Sequence, residues 1–256
     1  MRDAKKNEIK PWLKREWNIP PKANAAFVAQ MEDVRDVYAR PHDPTRPLVC
    51  FDERNKEQHR EVIEPVPVAP GHAAHHERTY ERNGVSTMFM FFAPLENWRH
   101  VKVTDRRTAA DWAACMRDLV DVHFPHAEKV VIVQDNLNTH TPAALYAAFE
   151  PAEAKRIWDR LEFHYTPKHG SWLTMAEIEL SVLSRQCLDR RIPDQDALRR
   201  ETAAWAMRRN ATGATIDWRF TTTDARIRGC LVSEQRCVSL EYGFPSTVYD
   251  VLLENG

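Results

Sequence analysis

Apolar runs and alternations along the chain predict five strands. Two of them are apolar at nearly every position, which is typical of strands that are buried on both faces. Two others flank a short stretch at residues 93–97, and this arrangement predicts a hairpin. Pro167 ends the last strand. The predicted strands are residues 48–51, 85–92, 98–103, 129–133 and 161–165.

Apolar residues at helical spacing predict six helices. Thr108 is followed three residues later by Asp111, a variant of the capping box, and Asp194 is a suitable N-cap. Pro142 stands where a helix tolerates proline, at its first position. Prolines flank the first helix, so its segment is interpreted as a connector rather than a core element. The predicted helices are residues 23–38, 108–123, 141–149, 153–161, 174–190 and 194–209.

The order of these elements predicts an α/β fold. Strands alternate with helices in the second half of the chain, which favours a mixed sheet covered by helices on both faces. Residues 64–84 are rich in proline and are predicted to be loop. This loop holds His72, His75 and His76, but no further Cys or His pair stands at zinc spacing, so a surface loop is favoured over a metal site.

Composition and charge are those of an ordinary globular protein. The 256 residues are 43% hydrophobic and 29% charged, with a net charge of -1. No apolar stretch is long enough to span a bilayer and no secretory signal opens the chain, so a cytoplasmic protein is expected. Basic residues are in excess at 1–30 and 181–210, where they form either phosphate contacts or solvated helix faces. Cys50, Cys115 and Cys187 are interpreted as small buried hydrophobes.

Three acids follow or open the predicted core elements. Asp52 comes directly after the first buried strand, Asp135 after the fourth strand, and Glu177 opens a helix. Residues two apart in a strand share a face, so both aspartates are expected at the carboxyl edge of the sheet. Three converging carboxylates would repel one another by roughly 4 kcal/mol per pair at about 4 Å. They therefore require a cation, and oxygen ligands favour Mg²⁺ or Mn²⁺ and metal-dependent phosphodiester chemistry.

Periodicity leaves some of these assignments open. Glu177 and Glu179 lie on opposite borders of the apolar stripe of their helix, so spacing alone does not choose between them. Glu53 and Glu57 are interpreted as structural or solvent-facing.

The loops beside these acids add further candidates. Asn136 and His140 follow Asp135 closely and either orient the metal ligands or serve as turn residues. The candidate DNA contacts are Lys168, His169, Trp172 and Arg185, with Trp172 equally suited to anchoring the core.

Five segments together give the chain a family resemblance. They are WNIPPKAN (17–24), VCFDE (49–53), VQDNLNTH (133–140), YTPKHGSWLTMAE (165–177) and WRFTT (218–222). The chain resembles bacterial insertion-sequence transposases of the DDE superfamily, in the mariner-related group named for insertion sequence 630. The resemblance covers about residues 5 to 228.

The resemblance implies a ribonuclease-H-like core that binds two Mg²⁺ ions, with Mn²⁺ as a substitute. Its three acids map onto Asp52, Asp135 and Glu177, which selects Glu177 over Glu179. The implied chemistry is cleavage at the element ends followed by attack of the freed 3′-hydroxyl on target DNA, typically at TA sites. The implied partners are DNA and further copies of the chain, as a homodimer or higher assembly, in the cytoplasm and nucleoid of a bacterium.

The chain is expected to depart from the family pattern at its N-terminal region and in the segment after Arg228. Residues 1–47 are expected to be the connector from a missing helix-turn-helix module, 48–228 the catalytic domain, and 229–256 an atypical tail. The alternative function is a catalytically unproductive remnant that binds DNA or dimerises with, and inhibits, a complete transposase.

Overall fold

The computed structural model describes residues 25–63, 69–73, 78–168 and 170–214. Within these residues the strands form one mixed sheet in the order β3-β2-β1-β4-β5. Strand β1 pairs antiparallel with β2 and parallel with β4, β2 pairs antiparallel with β3, and β4 pairs parallel with β5. The strands are β1 (Leu48–Glu61), β2 (Tyr80–Ala93), β3 (Trp98–Thr104), β4 (Val130–Gln134) and β5 (Leu161–Tyr165).

Six α-helices flank the sheet in the described part of the chain. The capping box predicted at Thr108 is present, and the side chain of Asp194 accepts a hydrogen bond from the Ala197 amide as predicted. The helix after Thr108 changes to a π-helical turn at Leu119–His123. The α-helices are α1 (Ala25–Tyr38), α2 (Ala109–Asp118), α3 (Pro142–Ala148), α4 (Pro151–Asp159), α5 (Met175–Gln186) and α6 (Gln195–Ala211).

Each face of the sheet carries its own hydrophobic core, which confirms the predicted α/β fold. Alternate residues of β1 enter opposite cores, because successive side chains of a strand point to opposite faces. Cys50 packs in the first core, with α1, α5 and α6. Val49 and Phe51 pack in the second core, with α2, α3 and α4. Cys50, Cys115 and Cys187 are all buried, as predicted.

The hairpin of β1 and β2 is longer than the apolar pattern predicts. The strand predicted at 48–51 continues to Glu61, and β2 begins at Tyr80 rather than at residue 85. The prediction of loop is therefore wrong for residues 80–84. The added positions are mostly polar and pair across the hairpin, where antiparallel hydrogen bonding does not require apolar side chains. His72 lies in the described part of the loop, whereas His75 and His76 lie outside the described residues.

Helix α1 belongs to the core, contrary to its interpretation as a connector. Phe27, Met31 and Val34 are buried in the first core. The hydroxyl of Tyr38 donates a 2.8 Å hydrogen bond to the carbonyl of Leu173, just before α5. Apolar spacing predicted the helix, but only the packing shows which surface its stripe covers. The rest of the expected connector and the expected tail lie outside the described residues.

None of the helices in the described ranges is long and apolar enough to cross a membrane.

Candidate active site

The two aspartates stand where the parallel pairing of β1 and β4 stops. That pairing ends with Cys50 opposite Val133, and each aspartate is two residues further along its chain. Asp135 leaves the end of β4, as expected. Asp52 does not end its strand, because β1 continues along β2. Both acids therefore lie at the edge where β1 and β4 separate, and Asp52 shares the face of Cys50 toward the first core.

A tight turn precedes the helix that carries Glu177. The amide of Gly170 donates a 2.7 Å hydrogen bond to the carbonyl of Pro167. A Cβ at residue 170 would lie 2.6 Å from Pro167 Cγ and 2.9 Å from the same carbonyl oxygen, so only glycine fits here. A short 3₁₀ turn follows at Ser171–Leu173, and α5 then places Glu177 in its first turn. An acid in the first turn of a helix is favoured by the helix dipole.

Asp52 lies in an electrostatically unfavourable position. Burial raises its pKa to about 7, and the charges of Glu53, Asp135 and Glu177 add to this rise. The hydrogen bond from the amide of Glu53 to Asp52 Oδ1, 2.8 Å long, only partly offsets it. The structure thus brings Asp135 and Glu177 within electrostatic reach of Asp52. Among the described residues no Lys or Arg forms an ion pair with any of the three.

Glu179, the other carboxylate that periodicity left open, has a different environment. Its side chain is fully buried between Arg99 of β3, at 3.3 Å, and Arg209 of α6, at 2.9 Å. Arg99 also bonds to Asn210 near the end of α6. Glu179 is therefore compensated by two guanidinium groups and joins α5 to β3 and α6, whereas Glu177 is half-buried.

Glu53 is the residue that the sequence interpretation missed. It lies on the opposite face of β1 from Asp52, and its side chain is only 3% exposed. The ring of His140 stands between it and Asp135, with Nε2 3.6 Å from Glu53 Oε2 and Nδ1 2.9 Å from Asp135 Oδ1. Glu53 is therefore neither solvent-facing nor remote from the site. The sequence signal was its position directly after Asp52, but its contact with His140 is long-range.

The remaining candidate residues have different environments. Asn136 is exposed, and its side chain forms no hydrogen bond with the described residues. No contact in the described part of the chain therefore supports a role for Asn136 in orienting the candidate metal ligands. Lys168 and Arg185 are exposed, the first before α5 and the second in its last turn. Trp172 is partly buried and packs against the first core, as one of its two interpretations requires. His169 lies outside the described residues.

The donor groups of the site fit a hard divalent cation. Asp135 Oδ1 and Glu53 Oε2 are buried oxygens that accept no hydrogen bond from the described residues, although His140 is near both. Oxygen atoms of Asp52, Asp135 and Glu177 come from two strands and a helix, and carboxylate oxygens are the ligands that Mg²⁺ and Mn²⁺ prefer. Such a cation would supply positive charge that no Lys or Arg of the described residues brings to these acids.

A mixed sheet with helices on both faces and clustered acids at the end of its parallel pairing defines a class of protein. The fold is that of a ribonuclease-H-like catalytic domain. Residues 47–199, more than half of the chain, match the family model described as DDE superfamily endonuclease, and the chain belongs to that family. No curated protein sequence matches the chain.

Solved transposase structures share the fold at low sequence identity. The Mos1 mariner paired-end complex with Mn matches with a TM-score of 0.52 and 15% identity over 81% of this chain. The Mos1 strand transfer complex matches with a TM-score of 0.53 and 13% identity over 81% of this chain. A pre-cleavage Mos1 transpososome matches with a TM-score of 0.51 and 12% identity over 90% of this chain. The matches span 63%, 62% and 68% of the three Mos1 chains, so this chain accounts for about two thirds of their length.

Proposed function

We propose that the chain is the catalytic domain of a DNA transposase of the mariner-related, insertion sequence 630 group. The observation that carries this proposal is the cluster of Asp52, Asp135 and Glu177, with which no Lys or Arg of the described residues forms an ion pair. Family membership and the shared fold of the Mos1 complexes support it. The proposed cellular setting is the cytoplasm and nucleoid of a bacterium.

The three acids are proposed to hold two Mg²⁺ ions, for which Mn²⁺ can substitute. Bound there, the ions would supply activation of an attacking oxygen and charge stabilisation of the leaving oxygen. Asp52 and Asp135 present carboxylates from the sheet, and Glu177 presents one from α5. Burial, and to a smaller extent the charges of the neighbouring carboxylates, raise the pKa of Asp52, and a bound cation would offset both effects.

The proposed substrate is DNA at both steps of transposition. Hydrolysis at an element end frees a 3′-hydroxyl, and that hydroxyl then displaces a 3′-oxygen at a phosphodiester of target DNA, which is proposed to lie at a TA site. Lys168, before α5, and Arg185, in the last turn of α5, are exposed cations. Both are proposed to contact the DNA backbone, together with His169 and Trp172. The Mos1 paired-end complexes support an assembly of two or more chains on DNA.

Nicking of supercoiled plasmid tests the proposal directly. The purified chain should nick plasmid in Mn²⁺ or Mg²⁺ but not in EDTA, and Asp135→Asn should abolish nicking while circular dichroism stays unchanged. Binding to DNA should weaken steeply as salt rises, because phosphate contacts release counterions. Equal nicking by Asp135→Asn would refute the assignment of the site. Co-assembly with a complete transposase without any cleavage would instead favour the inhibitory remnant.

A further inference from the structure

Glu53 and His140 form a buried pair directly behind the candidate metal ligand Asp135. Successive residues of a strand point to opposite faces, so Glu53 faces the second core while Asp52 faces the first. The side chains of Glu53 and His140 are 3% and 2% exposed. Burial raises the pKa of Glu53, and His140 and Arg107 oppose this rise. A carboxylate buried this deeply needs a partner, and His140 is the buried group that faces it.

Aromatic contacts fix the orientation of the His140 ring. The ring of Trp112 stacks near it with centroids 5.8 Å apart, and the ring of Phe51 meets it edge-on at 5.7 Å. Trp112 is itself held by a 3.1 Å hydrogen bond from its indole nitrogen to Gln134 Oε1. The amide of His140 donates to the carbonyl of Leu137 at 2.9 Å, which fixes its backbone. The ring therefore cannot turn away from Asp135 without breaking core packing.

The geometry distinguishes bridging from chelation. Ligand atoms of Glu53, Asp135 and His140 all lie within 4.8 Å of one another, close enough to suggest a second metal site. However, each ring nitrogen faces a different carboxylate, Nδ1 toward Asp135 and Nε2 toward Glu53. A single ion bound to one nitrogen would have the ring between itself and the other carboxylate. The His140 ring therefore contacts each carboxylate through a separate nitrogen, and the three groups are poorly arranged to share one ion.

We propose that Glu53, acting through His140, is a positioning residue for Asp135. His140 Nδ1 lies 2.9 Å from Asp135 Oδ1 and restricts where that carboxylate can move, and Glu53 lies 3.6 Å from the opposite ring nitrogen. Arg107, which is 58% exposed, reaches Glu53 at 3.6 Å from the solvent side and closes this line of contacts. The inference deepens the proposed function, on which it rests for the role of Asp135 as a metal ligand.

Binding of Mn²⁺ alone, measured by electron paramagnetic resonance, tests the positioning role without any DNA. Glu53→Gln keeps the shape of the side chain but weakens its hold on His140, so the Kd for Mn²⁺ should rise about 10- to 100-fold, as partners of metal ligands typically show. The number of ions bound should stay the same. Glu57→Gln is the matched control, because Glu57 lies on the same face of β1 but pairs with Arg82. Its Kd should equal that of the unaltered chain.

A double-mutant cycle separates positioning from a merely structural role. His140→Gln should also weaken Mn²⁺ binding, and adding Glu53→Gln to it should cause no further loss, because Glu53 acts only through His140. An unchanged Kd in Glu53→Gln, additive losses, or losses that follow the melting temperature would overturn the positioning role. Loss of one bound ion would overturn it too, since Glu53 would then be a ligand.

The outcomes also separate this inference from the proposed function. Mn²⁺ binding that depends on Asp135 but produces no DNA nicking would refute the transposase proposal, while the Glu53 comparison would still be decided by Kd values. Absence of Mn²⁺ binding in the unaltered chain would overturn both.

Discussion

Helix α5 carries two carboxylates in opposite situations only two residues apart. Glu179 is fully buried and lies between Arg99 and Arg209. Glu177 is half-buried and adds its charge to those of Asp52 and Asp135. The charge of Glu179 is thus neutralised by neighbouring arginines, whereas no Lys or Arg of the described residues pairs with Glu177.

The difference teaches that burial of an acid is a poor marker of function by itself. A buried carboxylate with cationic neighbours holds secondary structure together, as Glu179 joins α5 to β3 and α6. Buried or half-buried carboxylates that face one another cost folding free energy and persist where an external cation is to be bound. Compensation, rather than burial, separates the two regions, and the following changes test this distinction.

The largest effect on folding is expected at Glu179. Glu179→Ala leaves Arg99 and Arg209 facing each other in the first core without a counter-charge. Removing one member of a buried ion pair costs about 3–5 kcal/mol, so the free energy of unfolding in urea should fall by this amount. Half-buried Glu201, which pairs with the more exposed Arg190, provides the control variant Glu201→Ala. A loss at Glu179 no larger than that of the control would contradict the structural role.

Glu177→Gln should have the converse effect, on activity rather than on folding. Loss of one carboxylate ligand should lower metal-dependent nicking on the order of 10³-fold, which corresponds to about 4 kcal/mol of activation free energy. The melting temperature without metal should stay the same or rise, because one repelling charge is gone. Time courses of plasmid nicking and thermal melts in EDTA measure the two effects. A melting temperature that falls with the activity would place Glu177 in the structural region instead.

The apolar pattern was sufficient to predict the strands and helices that carry the acids. It did not predict which of the acids have cationic neighbours. Runs such as 48–51 and 129–133 predicted the strands that carry Asp52 and Asp135, and the alternation of side chains gave the face of Asp52. Spacing along α5 could not separate Glu177 from Glu179, because the arginines that compensate Glu179 come from β3 and α6. The assignment of Glu177 came from the family resemblance, and its catalytic role stays a prediction.

Polar positions account for the main errors of the sequence analysis. The outer halves of β1 and β2 are polar, so the apolar pattern ended both strands too early. Glu53 has the same polar neighbours as many surface residues, and only the fold brings His140 to it from beyond β4. Long-range contacts between polar side chains leave no periodic signal in a single sequence.

The stability of the metal-free protein should depend on pH, because ionised Asp52 is unfavourable in the folded chain. The pKa of Asp52 is about 7 in the folded chain, against an ordinary value of 3.8 for the unfolded chain, so the folded state binds more protons between these values. Stability is therefore fully present at low pH and is lost as pH rises through about 7. Asp52→Asn should remove this loss, a gain on the order of 2 kcal/mol at pH 8 in EDTA after allowance for solvent screening. An identical pH profile in both proteins would show that Asp52 is compensated after all.

The smallest effect is expected where charges meet in water. Lys155 and Asp159 form an ion pair one helical turn apart on α4, and both side chains are more than half exposed. Water screens the attraction between the two charges and solvates each of them nearly as well as the partner side chain does. Lys155→Gln should therefore leave the melting temperature unchanged within error, at low salt and at high salt alike. A clear destabilisation here would mean that an ion pair stabilises the fold even in water. The contrast between Glu179 and Glu177 could then no longer be explained by the exclusion of water from Glu179.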